Sequence, residues 1–185
     1  MSSLVPLLAT LPLMLAIAAA IRLDSRGPVL FRQQRHGFNQ KPFRILKFRT
    51  MTTLEDGPVV LQACKGDARI TRVGRILRRT SLDELPQLLN VLKGDMSLVG
   101  PRPHALAHDR EYEEKIALYA HRHNVKPGIT GWAQVHGFRG QTDVDWKMQK
   151  RVEYDLAYID NWSVLLDFQI LFLTIFSRKT FHNAF

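Results

Sequence analysis

In SLDELPQLLNVLKGDMSLVGPRP, residues 81–103, two adjacent carboxylates, Asp83 and Glu84, follow the arginine-dense run ITRVGRILRR (70–79) and precede Arg102. Neighbouring carboxylates repel, so both stay ionised only in a field of cations, which Arg78 and Arg79 can supply. With such a field, and Mg²⁺ held by an acidic neighbour, an ionised aspartate is a workable nucleophile for phosphorus. Metal and arginines neutralise the phosphate oxygens and let one anion approach another. A structural reading stands beside this one. Ser81 and Glu84 fit the S-x-x-E capping box, and Asp83 would sit in a first helical turn, where the helix dipole favours an anion. Pro86 complicates that reading, because five residues into such a helix it deletes an early backbone bond unless the helix starts nearer Pro86 itself.

Other residues offer weaker chemistry. GPRP (100–103) and KPGITGW (126–132) are loop signatures whose prolines fix the backbone and whose glycines expose N–H groups, a geometry able to cradle phosphate beside Arg102 and Lys126. His104 and His108 stand four apart and could share a helical face as metal ligands, but no third ligand or H-E-x-x-H pattern accompanies them, and surface histidines are the simpler reading. The single cysteine, Cys64, excludes an internal disulfide framework and a multi-cysteine metal site and reads as a bystander in a reducing compartment. With 26 basic against 17 acidic residues, the chain carries a net charge of +9, which points to anionic partners. The aromatic residues are scattered and no RNA-binding consensus, finger or helix-turn-helix signature appears, so nucleic acid has no supporting context.

These residues need a scaffold. A chain of 185 residues with 45% hydrophobic composition suffices for one domain with a sizeable core. Segments 28–37 and 41–51 alternate apolar and basic residues around GFNQ, which predicts a β-hairpin. Residues 70–79 predict an amphipathic basic helix with Val73, Ile76 and Leu77 on its apolar face. Segments 108–124 and 146–162 also read as helices.

The two ends differ from this centre. No charge occurs between Met1 and Ile21, and LVPLLATLPLMLAIAAAI ends at Arg22, Asp24 and Arg26. Three readings compete: a spanning helix, since 18 residues at 1.5 Å reach about 27 Å; a re-entrant segment bent at Pro12 that enters and leaves by one face; and a signal peptide, against which the missing positive n-region counts. VLLDFQILFLTIF (164–176) is too short for a comfortable span and carries Asp167 and Gln169. It reads as a core helix or as one lying at lipid headgroups, with Trp162, Arg178 and Lys179 at its flanks.

Several ordered motifs together carry a resemblance: IRLDSRGPVLFRQQRHG, FRILKFRTM, DARITRVGRILRRTSLDELPQLLNVLKGDMSLVGPRPHALAH, VKPGITGWAQVHGFRG and RVEYDLAYIDNWSVLLD. Through them the chain resembles the bacterial sugar transferase family, the monotopic polyprenyl-phosphate phosphoglycosyl transferases, and particularly its undecaprenyl-phosphate glucose phosphotransferase branch. The resemblance implies a mainly α fold with a small β-hairpin element. A re-entrant membrane helix (1–22), bent at Pro12, would precede a compact cytoplasmic catalytic domain (23–185) with interfacial amphipathic helices. It implies Asp83 and Glu84 as the catalytic dyad, Glu84 as metal ligand, Mg²⁺ as cofactor, and Arg79, Arg102, Lys126 and Arg139 as substrate-binding residues. The expected reaction moves a sugar 1-phosphate from a UDP-sugar to undecaprenyl phosphate at the cytoplasmic face of the bacterial inner membrane, beginning an exopolysaccharide or related glycan. Glucose as donor rests on resemblance in RVEYDLAYIDNWS and the terminal HNAF. Expected partners are UDP-sugar, undecaprenyl phosphate and anionic membrane lipids, with no nucleic acid; a homo-oligomer is left open.

The family usually has a Ser-Pro pair at the membrane bend, whereas Leu11 precedes Pro12 here, and Thr10 is the nearest hydroxyl that could substitute. Larger members carry additional spans before this module, so the chain is expected to be a minimal form or a shortened one. A rival of another class is a non-catalytic, membrane-anchored basic module that binds lipid or nucleic acid; it would tolerate loss of Asp83.

Overall fold

The computed structural model describes residues 4–53, 63, 66–140 and 145–176. Cys64, Arg178, Lys179 and the terminal HNAF lie outside the described residues, as does the side chain of His108. The fold is mostly helical, with two small sheets and one long apolar N-terminal helix.

That helix, α1 (Leu4–Asp24), runs on through Pro12. Its segment Leu7–Asp24 is long and apolar enough to cross a membrane. The Thr10 hydroxyl, proposed above as a substitute for serine, donates to the carbonyl of Leu7 at 3.2 Å. Ile17 and Ile21 are buried against Phe48 and Leu77, while Leu8, Leu11, Leu13 and Leu15 remain exposed. Arg49 fixes the helix exit. Itself 2% exposed, it donates to the carbonyls of Arg26 (2.5 Å) and Ser25 (2.7 Å) and to the Ser25 hydroxyl. Gly27 fits this clamp because its φ of +123° suits glycine and because a Cβ there would lie 2.1 Å from the Arg49 guanidinium.

The predicted hairpin forms. Strands β1 (Leu30–His36) and β2 (Pro42–Phe48) pair antiparallel from Leu30↔Phe48 to His36↔Pro42, turning at Gly37–Lys41, where Asn39 and Gln40 adopt positive φ. Helix α2 (Arg72–Thr80) follows, with the Thr71 side chain accepting from the Gly74 N–H and Asp24 accepting from the Val73 N–H at 3.0 Å. Leu77 is buried as expected, but Ile76 is 63% exposed. The buried stripe instead runs through Gly74, where the backbone of Thr50 approaches so closely that a Cβ would meet its carbonyl at 2.2 Å.

Helix α3 (Gln87–Lys93) lies against β2, and its buried Asn90 completes that strand's free edge by accepting from the Leu46 N–H (3.0 Å) and donating to the Arg44 carbonyl (2.8 Å). Strands β3 (Ser97–Val99) and β4 (Gly128–Thr130) form a parallel pair that the hydrophobic pattern did not announce. Between them, α4 (Leu106–Lys115) stops short of the predicted 108–124 helix. The chain is extended at Ile116, Leu118 has φ +63°, and a 3₁₀ segment Tyr119–Asn124 turns Tyr119, Arg122 and His123 inward. Helix α5 (Trp132–Val135) is one turn. Helices α6 (Asp145–Asp160) and α7 (Val164–Phe176) match their predicted segments. Ile170 of α7 is fully buried with Val99, Val135 and Tyr158, and Asp167 accepts from the Tyr158 hydroxyl at 2.8 Å. The opposite side of α7 exposes Leu165, Phe168, Phe172, Ile175 and Phe176.

Candidate active site

Helix α2 ends at Ser81, whose left-handed backbone (φ +60°) turns the chain into the 3₁₀ segment Leu82–Glu84. Leu82 and Leu85 pack on the core beneath α1, which anchors the turn from both sides. The capping-box reading fails here. The Ser81 hydroxyl makes no capping bond, the next helix begins only after Pro86, and the Glu84 carboxylate points to cations instead of the backbone. Pro86 thus stands at the helix start, the alternative its ring geometry favours.

Glu84 is buried and ringed by three cations. Arg102 grips both carboxylate oxygens, at 2.5 Å to Oε1 and 3.2 Å to Oε2; Lys47 donates to Oε1 at 3.0 Å, and an Arg139 nitrogen lies 3.5 Å from Oε2. Burial would raise its pKa, but Arg102, Lys47 and Arg139 together outweigh that and hold the carboxyl well below its usual range. Asp83 is half-buried and, among the described residues, has no hydrogen-bond or ion-pair partner. Burial and the adjacent Glu84 charge raise its pKa, against the pull of Lys47, Arg139 and Arg78. The pair is therefore asymmetric: one carboxylate locked as an anion, the other uncommitted and more basic than usual. That division suits a nucleophile beside a fixed charge.

Of the residues expected to bind substrate, Arg102 and Arg139 converge on the dyad. Arg79 does not: it is exposed on the last turn of α2 and, among the described residues, makes no hydrogen bond or ion pair. Its neighbour Arg78 turns inward, donating to the Thr50 hydroxyl at 2.9 Å and acting on the charge of Asp83. Lys126 is exposed and directed toward Gly94, where a Cβ would stand 3.7 Å from its ammonium. Two of the glycine N–H groups expected to cradle phosphate are engaged elsewhere. Gly100 donates to Thr130 and Gly128 to Pro101, so GPRP and KPGITGW pair with each other and present Arg102 as a side chain. The reading of His104 and His108 as a helical metal pair also falls, as does a surface location for His104. His104 precedes α4, is 8% exposed, and has both ring nitrogens engaged, Nδ1 with the Tyr119 hydroxyl (2.8 Å) and Nε2 with Arg151 (2.9 Å).

Lys47 was absent from the expected site. Its signal was present in FRILKFRTM, where it shares an inward strand face with Ile45 and Arg49, a position that a lysine occupies only with a partner.

The profile of the family described as Bacterial sugar transferase matches residues 1–180. The chain belongs to this family. It is 58% identical over 165 residues to a UDP-glucose:undecaprenyl-phosphate glucose-1-phosphate transferase of Escherichia coli (strain K12), covering 89% of this chain and 36% of that protein. A protein of the same description from Caulobacter vibrioides is 56% identical over 174 residues, covering 94% of this chain and 65% of the relative. The exopolysaccharide production protein PSS of Rhizobium leguminosarum bv. phaseoli is 50% identical over 188 residues, covering all of this chain and 94% of the relative. The chain thus spans between about a third and two thirds of the first relatives' lengths.

Proposed function

We propose that this chain transfers a sugar 1-phosphate from a UDP-sugar, with glucose as the leading donor, to undecaprenyl phosphate and releases UMP. The observation that carries this reading is the asymmetric dyad, with Glu84 held by Arg102, Lys47 and Arg139 beside an Asp83 carboxylate that has no partner among the described residues. In the first step an Asp83 oxygen attacks the sugar-bearing phosphorus. A P–O bond forms, the diphosphate P–O bond breaks, and UMP leaves with the electron pair. In the second, an oxygen of the polyprenyl phosphate attacks the same phosphorus and displaces the Asp83 carboxylate, giving the polyprenyl-diphosphate sugar. Two anions from different phases, one aqueous and one lipid, thereby use one cationic site in turn.

Mg²⁺ belongs to the proposal as a companion of the diphosphate. Lys47, Arg78, Arg102 and Arg139 already outnumber Asp83 and Glu84, so a further cation gains little until phosphate arrives. The open Asp83 carboxylate, with Glu84 Oε2 beside it, which Arg102 holds at 3.2 Å and Arg139 faces at 3.5 Å, fits the usual arrangement of one or two carboxylates plus substrate phosphates. When bound, the ion would supply charge neutralisation on the phosphate oxygens.

At the membrane, α1 would enter and leave by the cytoplasmic face, bending at Pro12, with Arg22 and Arg26 retained there. The exposed Leu165, Phe168, Phe172, Ile175 and Phe176 of α7, with Trp162 beside them, suit a helix lying at the headgroups. Initiation of an exopolysaccharide is the pathway role favoured by the relative named for exopolysaccharide production.

The test is intact-protein mass after rapid mixing with UDP-glucose and Mg²⁺ without lipid acceptor. Wild type should gain one hexose phosphate and release UMP, and Asp83→Asn should gain nothing. Release of UDP, or no mass gain alongside kinetics requiring both substrates bound together, overturns the covalent route.

A further inference from the structure

The dyad's arginines are themselves held by arginines. Arg122 is 3% exposed and donates from Nη2 to the main-chain carbonyl of Arg102 at 2.8 Å, while its Nε is paired with the buried Asp155 at 2.8 Å. Arg151 is 4% exposed and donates to the carbonyls on either side of Arg139: to Phe138 from Nε and to Gly140 from Nη2, each at 2.8 Å. Its third nitrogen meets His104 Nε2 at 2.9 Å. Nδ1 of the same ring lies 3.2 Å from Arg122 Nη1, so His104 stands between the two arginines. Nδ1 also faces the Tyr119 hydroxyl at 2.8 Å, which donates in turn to Asp109 Oδ1 at 2.7 Å. One face of the imidazole ring thus ties Arg151 to the element that carries Arg122.

Neither guanidinium reaches Glu84, yet Arg122 grips the backbone of Arg102, which does, and Arg151 the carbonyls that flank Arg139, which also does. A buried arginine is costly to desolvate, and hydrophobic packing would fill the same space at lower cost. Its planar fork, however, holds two carbonyls in fixed relation, which no apolar side chain can do. Arg102 stands after β3 and Arg139 after α5, in loops that, among the described residues, no hydrogen-bonded ladder joins.

We propose that Arg122 and Arg151, linked through His104, are positioning residues that set the separation of the Arg102 and Arg139 guanidinium groups for an incoming diphosphate. The inference deepens the proposed reaction and rests on it for the identity of the anion, but its geometry can be tested on anion binding alone. A merely structural role would make each arginine's loss independent of which dyad arginine remains. A positioning role makes the losses pair off, Arg151 with Arg139 and Arg122 with Arg102.

The experiment is a set of double-mutant cycles in detergent-solubilised protein, with inorganic diphosphate affinity by titration calorimetry and kcat/KM for UDP-glucose measured side by side. Arg151→Lys keeps the charge but loses the fork; it should weaken diphosphate binding about tenfold in the wild-type background and less than about twofold when Arg139→Ala is present. Arg122→Lys should show the same collapse with Arg102→Ala and none with Arg139→Ala. Should Arg151→Lys fail to fold, His104→Asn, which keeps a polar atom near the Nδ1 position and loses the Nε2 contact with Arg151, is carried through the same cycle. Equal losses in both backgrounds overturn the proposal, as does a wild type that binds no diphosphate. Coupled diphosphate binding without UDP-glucose turnover would leave the positioning intact and reject the proposed reaction instead.

Discussion

Glu84 and Asp155 are both buried carboxylates bound to an arginine, and they differ in what surrounds the pair. At Glu84 the cations stay partly open, with side-chain exposures of 20% for Arg102, 17% for Lys47 and 11% for Arg139. At Asp155 the partner Arg122 is 2% exposed at the side chain, and its other donors face the Arg102 carbonyl and His104. The first pair can receive another anion; the second is closed by the protein. An arginine near a carboxylate therefore has no fixed role, and its remaining donors decide between substrate and scaffold.

The largest effect should come from the open side. Asp83→Asn retains size and removes the proposed anionic nucleophile, so turnover should fall at least about a thousandfold while the melting temperature barely moves. A drop below tenfold would remove Asp83 from the reaction. Asp155→Ala should reverse that profile. It strands the buried Arg122 charge and should cost about 3–5 kcal/mol of stability, read by denaturant or thermal unfolding. An Asp155→Ala protein that melts normally would dissolve the distinction between the two regions.

Arg102→Ala removes a charge-assisted grip worth about 1.5–3 kcal/mol, so kcat/KM should fall roughly ten- to a hundredfold with the fold intact. Smaller still is the expected pH effect of Arg78. The proposed reaction needs Asp83 ionised, so its rate should fall as pH drops through the raised pKa of that group. Arg78 holds that pKa down, and its removal in Arg78→Gln should carry the acid limb to higher pH, leaving the plateau nearly unchanged. An unmoved limb in a folded variant would mean that another group titrates there.

How much of this was legible depends on separation along the chain. The hairpin, α6 and α7 could be read because each follows a local period of two or 3.6 residues, and Asp83, Glu84 and Arg102 because their motifs are short and contiguous. The parallel β3–β4 pair could not, since Ser97 meets Gly128 across a gap that no local period spans. The rear network was hidden for the same reason: Arg151 meets His104 from 47 positions away, and nothing in KMQKRVEYD marks Arg151 as buried while Lys150 is exposed. The break at Leu118 lacked a signal too, because a leucine at positive φ contradicts its local preference and is sustained by the packing of Tyr119 with Tyr112, Met148 and Val152.

Arg79 gives the finest test of the contrast between open and closed arginines, because it was expected to bind substrate whereas the fold turns its neighbour Arg78 inward instead. On α2, Arg72, Arg75, Ile76 and Arg79 are exposed together, whereas Arg78 faces inward. An exposed basic face next to a helix proposed to enter lipid has an evident use: each arginine near an anionic surface contributes about 1 kcal/mol to attraction, a contribution that salt screens. Arg79→Ala should therefore change turnover in detergent by less than about twofold, yet lower retention on vesicles containing an anionic phospholipid about fivefold at low salt, with the difference vanishing at high salt. Arg78→Gln should show the opposite pattern, normal retention with the shifted acid limb. If Arg79→Ala instead weakens UDP-glucose use in detergent as much as Arg102→Ala does, α2 must present its last turn to the dyad when substrate is bound. The division between inward and outward arginines would then not extend to substrate binding.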